Sequence, residues 1–297
     1  MIANKLSVIL PVYNGMPYLP QTIESLLGQT FQDFVVYAID NGSTDATPDY
    51  LTQLNNEKIR FIRLENKNLV NALNKGIESA GTPLIARMDA DDICNPFRFE
   101  KQINFLDMYN EIDMVGSNGQ YIDKSGDRHL NINVPLTHDK IVQTMLKKRN
   151  AIIHASIMFR GDIIKAYGMY DNNYYPCEDY ELFLRMGHKI KFANLPDRLY
   201  QFRIHDNSII TKNIKSSTKL YYFISNKYSS NYKNITGSQP IEKFSLKFWE
   251  KLDIISMSIY RKGLNHYLNR SRVIGIFYFM LAALLSPSRL IGAIKKI

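Results

Sequence analysis

Two hydrophobic rhythms alternate along residues 6–92. LSVILPVY (6–13) and FVVYAID (34–40) are apolar, β-branched runs, the signature of strands buried on both faces. KIRFIRL (58–64) alternates apolar and polar positions, and TPLIARM (82–88) closes the series as a fourth strand. Between these runs the apolar period lengthens to that of a helix. Leu19, Ile23, Leu26 and Leu27 mark one helix, ended by Gly28 and Gln29. A second follows the turn NGSTD, with Thr44 or Asp45 as its N-cap, and NLVNALNKGIESA (68–80) is a third. Four strands alternating with three helices predict βαβ units and a parallel sheet. Farther on, PFRFEKQINFLDMYN (96–110) and EDYELFLRMG (178–187) read as helices. HASIMFRG (154–161) and KIKFANL (189–195) read as strands, and the chain beyond 211 reads as mostly helical.

Parallel sheets take ligands outside the carboxyl ends of their strands. Three polar clusters fall there: Tyr13-Asn14, Asp40-Asn41 and Asp89-Ala90-Asp91. In the last, IARMDADDICNP, three aspartates follow a buried strand within four positions. On an extended segment Asp89 and Asp91 share a face and Asp92 points away. Paired carboxylates repel unless a cation lies between them, and oxygen-rich, sulfur-free donors suit Mg²⁺ or Mn²⁺. The competing reading is a solvated acidic turn with Asp92 capping a helix. Asp40 to Asp45 fit an Asx-turn and a cap equally well as a nucleotide contact. No G-x-G-x-x-G or Walker A sequence is present, so neither a dinucleotide site nor a P-loop is expected. Glu178 and Asp179 start a helix, where a carboxylate is usually a cap and alternatively a general base. Arg203 and His205 alternate on a strand-like segment and share a face.

Composition narrows the class. Of 297 residues, 45% are hydrophobic and 22% charged, which excludes a disordered chain. Cys94 and Cys177 are too few for a disulfide framework and form no CxxC pair; both are expected to be reduced and non-catalytic. The net charge of +9 is unevenly distributed: residues 1–210 hold 22 Lys/Arg against 25 Asp/Glu, net −3, and residues 211–297 hold 15 against 3, net +12. The basic character belongs to the tail, and an anionic membrane surface, nucleic acid or simple solvation would account for it.

Taken together, SVILPVYNG, IDNGSTDAT, NKGIESAGTPLIARMDADD, HAS, CEDYELFLRM and FRIHDNS resemble the family 2 glycosyltransferases. The likeness runs in order from residue 5 to about 210, nearest to bacterial enzymes of O-antigen, capsule or exopolysaccharide assembly. It implies the GT-A fold, an α/β architecture with a Rossmann-like, mostly parallel central sheet flanked by helices, extended here by a mostly helical C-terminal segment. It implies a catalytic domain over 1–210, with a nucleotide-binding half to about residue 92 and an acceptor-side half from about 93 to 210. The implied reaction is inverting transfer of a hexose or N-acetylhexosamine from a nucleotide sugar, commonly UDP-linked, with Mn²⁺ or Mg²⁺. The implied acceptor is a sugar hydroxyl of a growing, polyprenyl-diphosphate-linked polysaccharide. Carried over by residue, Pro11, Tyr13 and Asp40 match uracil-binding positions. Asp89 lies near ribose and metal, and Asp91 ligates the metal. Asp179 is the catalytic base with Glu178 in support, His205 joins the metal, and Arg203 and Arg87 contact phosphate. The chain departs from the family at His154-Ala155, where His-Pro is common, and at Phe202-Arg203, where Tyr-Arg is common.

VIGIFYFMLAALL (273–285) is a run of 13 non-polar residues, short of the ~20 a membrane-spanning helix needs. Arg270 and Arg272 flank it on one side and Arg289, Lys295 and Lys296 on the other. With the basic tail this predicts an interfacial helix on an anionic membrane, placing a cytoplasmic enzyme at the inner face of the plasma membrane. The alternative is a helix packed in the core. Two rival functions stand beside the transferase. A sugar-nucleotide pyrophosphorylase would need an N-terminal glycine-rich loop, and PVYNGMPYLPQ has only Gly15. A non-catalytic nucleotide-sugar binder has no use for Glu178-Asp179. Nucleic acid as partner would leave the acidic clusters unexplained.

Overall fold

The computed structural model describes residues 4–205, 214–230 and 245–286. Four parallel strands form one half of the sheet: β1 (Leu6–Val12), β2 (Phe34–Asn41), β3 (Ile59–Leu64) and β4 (Leu84–Arg87). Helices α1 (Leu19–Leu27), α2 (Thr47–Gln53) and α3 (Leu69–Ser79) connect them, as the sequence periods require. Strand order among the described residues is β3-β2-β1-β4-β8-β6-β9-β5. The second half is mixed. β5 (Ile93–Cys94), β6 (Met114–Ile122), β8 (Met158–Arg160) and β9 (Phe192–Arg203) continue the sheet, and β7 (Arg128–Ile132) pairs with β6. Helices α4 (Arg98–Met108), α5 (His138–Leu146), α6 (Gly161–Ala166) and α7 (Glu178–Met186) cover this half.

Successive strand residues feed opposite cores. Ile9, Ile39 and Ile85 face the cluster built with α3, α5 and α7, whereas Val8, Leu10, Ala38 and Ala86 face that built with α1 and α4. Helix α3 lies so close to the sheet that a Cβ on Gly76 would come within 2.4 Å of Ile9 Cγ2.

Several expectations change. The second helix starts after Ala46, which has no side-chain cap; Asp45 instead accepts from the Thr47 amide at 3.0 Å. HASIMFRG divides into a 3₁₀ turn (His154–Ser156) and β8, which runs antiparallel to β4. Only Phe192–Leu195 of KIKFANL is strand, as the start of the 12-residue β9, which carries on to Arg203.

The expected boundary at 210 is crossed by packing. Helix α8 (Ile214–Ser230) places Leu220, Phe223, Ile224 and Tyr228 in the same buried cluster as α5 and α7. Tyr221 stacks on Tyr180 at 4.1 Å, and the Tyr228 hydroxyl donates to Glu181 Oε1 at 2.7 Å. Helices α9 (Phe248–Asn269) and α10 (Arg272–Leu285) form an antiparallel pair. Their cluster of Leu264, Leu268 and Phe279 meets Leu130 and Ile204. No helix among the described residues is long and apolar enough to cross a membrane.

Candidate functional site

The loops that follow β1 and β2 are tied together by short hydrogen bonds. The Asn14 amide donates to Ser43 Oγ at 2.8 Å, and the Thr44 amide returns a bond to Asn14 Oδ1 at 2.8 Å. Gly42, at φ +75°, makes the turn after β2; a Cβ there would lie 3.1 Å from the Glu65 carbonyl. Asp40 is fully buried, with Oδ1 accepting from the Ser43 amide. Its Oδ2 lies 3.6 Å from the exposed Arg63 and has no hydrogen-bond partner. Arg63 thus gives this oxygen an ion-pair partner in place of a hydrogen bond. Tyr13 is partly exposed beside it, with the Lys67 ammonium 3.7 Å from its ring centre. Pro11 is buried within β1 opposite Ile39.

The three aspartates do not lie on an extended segment. The chain turns at Ala90-Asp91, so all three present carboxylate oxygens within 4.8 Å of one another. The alternation that would turn Asp92 away therefore does not operate, and Asp92 is neither solvated nor a helix cap. It is 1% exposed. Its Oδ1 accepts from the Arg203 amide at 2.7 Å and its Oδ2 from the Tyr200 hydroxyl at 2.6 Å, which locks the turn to β9. Thr22 of α1 donates to the Ala90 and Asp92 carbonyls from the other side. Burial, with the neighbouring Asp91 and Asp89, raises the Asp92 carboxyl well above its ordinary range.

Asp89 is held by Arg87 through two bonds of 2.6 and 2.7 Å. Asp91 is about one-third exposed and meets His205 Nε2 through its Oδ2 at 2.8 Å. The Tyr18 ring packs on His205 at 4.9 Å. Arg203 and His205 thus do share a face, and both grip Asp91. Arg203, however, is 1% exposed. Nε donates to the Asp91 carbonyl, Nη1 to the Asp123 and Lys124 carbonyls, and Nη2 to Gln21. Its role here is to hold the acidic turn, and a phosphate would find few of its donors free. Arg87 is 5% exposed with two nitrogens committed to Asp89. Its Nε is buried and has no hydrogen-bond partner.

The donor set fits a hard divalent cation: clustered carboxylate oxygens, one imidazole nitrogen and no sulfur. Asp91 and Asp89 are the partly exposed aspartates, and His205 lies mostly buried against Asp91. Both oxygens of Asp89 and of Asp92 already have protein partners, so Asp89 would share its carboxylate between Arg87 and the ion. The residues Asp206 to Ser208, part of the motif around His205, lie outside the described residues.

Glu178 and Asp179 begin α7. The N-cap position is Cys177, which makes no side-chain cap bond, so neither carboxylate acts as the cap. Asp179 Oδ1 accepts from the Tyr180 amide at 2.8 Å, and Oδ2 lies 3.8 Å from His154 Nδ1. Glu178 is 4% exposed with Oε2 unpaired. Burial and the Asp179 charge push its carboxyl up to about 8, so it keeps its proton at neutral pH. Burial raises the Asp179 carboxyl as well, while the Tyr180 amide and Arg87 hold it down, so the two environments push the pair apart and favour Asp179 as the member that gives up its proton first. Arg87 is within electrostatic reach of Asp89, Glu178 and Asp179, and joins the two acidic groups into one site.

Tyr200, Thr22 and Gln21 hold the acidic turn and were not foreseen. Their partners lie 68 to 182 residues away, and nothing local marks them. Cys94 and Cys177 are buried free thiols, and burial raises both away from the reactive thiolate.

Among solved structures, the S. aureus protein TarS (residues 1–349, in complex with UDP-GlcNAc) superposes with a TM-score of 0.59 at 16% identity, covering 96% of this chain and 92% of that one. The mannosyltransferase PcManGT from Pyrobaculum calidifontis, in complex with GDP-Man and Mn²⁺, gives 0.58 at 13% identity, covering 95% and 74%. At such identities the likeness establishes the GT-A-like fold. Sequence relatives are nearer. The O-antigen biosynthesis glycosyltransferase WbnJ of Escherichia coli is 32% identical over 214 residues, 70% of this chain and 82% of its own length. The amylovoran biosynthesis glycosyltransferase AmsE of Erwinia amylovora is 34% identical over 227 residues, 72% and 84%. The profile of Glycosyl transferase family 2 matches residues 7–210, and the chain belongs to that family.

Proposed function

We propose that the protein is a divalent-metal-dependent, inverting glycosyltransferase. It moves a hexose or N-acetylhexosamine from a UDP-sugar to a sugar hydroxyl of a bacterial surface polysaccharide. The observation that carries this reading is the meeting, across Arg87, of the Asp89-Asp91-Asp92 carboxylate cluster with the Glu178-Asp179 pair at the start of α7. Neither a pyrophosphorylase nor a passive binder has a use for a proton acceptor facing that cluster. The relatives named for O-antigen and amylovoran biosynthesis support the polymer class. TarS with UDP-GlcNAc and PcManGT with Mn²⁺ support the donor and metal classes.

In this reading the Asp40 Oδ2 accepts the ring N–H of the base, and Tyr13 stacks against its face. Asp91 and His205, with Asp89, would hold Mn²⁺ or Mg²⁺. The bound cation neutralises charge that builds on the departing diphosphate. Arg203, Tyr200 and Thr22 keep the acidic turn in place. Asp179 takes the proton of the acceptor hydroxyl as that oxygen attacks the anomeric carbon from the face opposite the leaving group, which inverts the configuration. The test is a screen of UDP-, GDP- and dTDP-sugars with Mn²⁺. A UDP-sugar should raise the melting temperature and be slowly hydrolysed. No shift and no hydrolysis with any donor would reject the assignment.

The proposed acceptor is linked to polyprenyl diphosphate, and the proposed location is the inner face of the plasma membrane. Helix α10 supports this. It buries Gly275, Phe279 and Ala282 against α9 and leaves Val273, Ile276, Phe277, Met280 and Leu284 exposed. The segment is thus half packed and half bare, between the two readings of its sequence. Arg270 and Arg272 stand at one end; Arg289, Lys295 and Lys296 lie outside the described residues. Basic residues contribute about 1 kcal/mol each at an anionic surface. The full-length protein should float with anionic liposomes at low salt and less at high salt. A variant carrying Val273→Asn, Phe277→Ser, Met280→Gln and Leu284→Asn keeps the buried face of α10 and should stay at the bottom of the gradient. Equal flotation of the two forms would make the strip a protein interface.

A further inference from the structure

We propose that His154 is a positioning residue for Asp179, with Tyr170 fixing the imidazole tautomer that does the positioning. The inference rests on the reading of Asp179 as the base and adds to it two residues to which the family likeness gave no role.

His154 occupies the 3₁₀ turn before β8, with its Nδ1 3.8 Å from Asp179 Oδ2 and its Nε2 2.6 Å from the Tyr170 hydroxyl. The ring is sandwiched, with Phe183 of α7 at 5.8 Å and Tyr170 at 5.4 Å, so it cannot turn away freely. Tyr170 is itself clamped. Its amide donates to Asn74 Oδ1 at 3.0 Å, and Asn74 Nδ2 donates to its carbonyl at 2.9 Å. The preceding Met169 takes φ +53°, unusual for a residue with a side chain, and Arg185 of α7 donates to its carbonyl at 2.6 Å. A strained loop is thus tied to α3 and α7 so that one hydroxyl meets one imidazole nitrogen.

The charged groups around the pair are Arg87 of β4 and Asp89 after it, and Glu178 on α7 is the neighbouring titratable group whose carboxyl is raised. The Tyr221 hydroxyl of α8 and the Cys177 thiol are neutral, each raised by burial. Burial and Arg87 lower His154 well below its ordinary range, so the ring is neutral and carries a single N–H. If that proton sat on Nε2, the Nδ1 lone pair would face the Asp179 anion. With the Tyr170 hydroxyl donating to Nε2, the proton sits on Nδ1 and faces the carboxylate instead. A modest closure from 3.8 Å makes it a hydrogen bond, as is usual for catalytic contacts that tighten with substrate. The donor would hold Oδ2 and set the carboxylate's orientation toward the acceptor hydroxyl.

The test uses the full-length protein and the two amides that imitate each nitrogen. His154→Asn places an N–H near the Nδ1 position, and His154→Gln places one near Nε2. His154→Ala should lower kcat by about 10- to 100-fold, the range of a coupling between neighbouring side chains, with the donor KM unchanged. His154→Asn should recover most of that loss, His154→Gln should not, and Tyr170→Phe should fall between. On an Asp179→Asn background, His154→Ala should add no further loss. Equal defects in the Asn and Gln variants, or losses that add on that background, would reduce His154 to packing and overturn the proposal. Failure of the underlying reading is separately visible: Asp179→Asn alone would then stay active.

Discussion

Asp179→Asn should cut turnover by about 10²–10⁴-fold, the usual share of general-base help, while leaving donor and metal binding nearly unchanged. The structure makes this a clean substitution. An amide oxygen can still accept from the Tyr180 amide, and the N-cap of α7 is Cys177, so helix capping is not lost. What disappears is the carboxylate proposed as the proton acceptor. Glu178 stays buried in the variant, and burial, the largest cause of its raised carboxyl, persists there. The measurement is kcat and donor KM with a saccharide acceptor, alongside UDP–Mn²⁺ affinity by calorimetry. Turnover within about tenfold of wild type would leave Asp179 a structural carboxylate and remove the inverting mechanism built on it.

Asp91→Asn should abolish metal-dependent transfer, and a chelator should do the same to the wild type until Mn²⁺ or Mg²⁺ is restored. Loss of a cation's charge at a developing diphosphate removes several kcal/mol of transition-state stabilisation, and each ~1.4 kcal/mol is tenfold in rate. Asp91 is the aspartate whose carboxylate meets only His205, whereas those of Asp89 and Asp92 serve Arg87, Tyr200 and Arg203. Its main structural bond, from Arg203 Nε, goes to the backbone carbonyl, which the substitution keeps. Stability supplies a second readout with the opposite sign. In metal-free protein Asp91 repels both neighbours and raises their carboxyls. The variant should therefore melt no lower than wild type without metal, and should lose the wild type's rise in melting temperature on adding Mn²⁺ with UDP. Full activity of the wild type in excess chelator would sink the metal assignment.

Much of the fold was legible because it rests on local periods. Buried parallel strands read as continuous apolar runs and their helices as 3.6-residue stripes, so β1 to β4 and α1 to α3 follow from residues 6–88 within a few positions. The second half was less legible. β6, with Gly116 and Gly119 and a polar middle, has no strand rhythm of its own. It is a strand because β8 and β9 lie on either side. The tail illustrates the same division: its charge and its apolar run are properties of composition, but only packing shows that α8 completes the core around α7.

The sequence by itself determined which groups are available: three aspartates after a buried strand, a Glu-Asp pair at a helix start, and a histidine two residues past an arginine. It also determined that the first aspartates emerge at the sheet's carboxyl edge, because strand direction and length place them there. Only the tertiary structure decided what each group does. The turn at Ala90-Asp91 brought Asp92 inward, and β9 arriving from more than a hundred residues away took its oxygens for Tyr200 and Arg203. That contact turned an arginine resembling a phosphate ligand into the clamp of the acidic turn, and left the Asp91 carboxylate to His205. Ionisation was decided at the same level. Whether Glu178 or Asp179 keeps a proton depends on burial and on the charges that distant strands bring beside them, and neither quantity exists until the chain has folded.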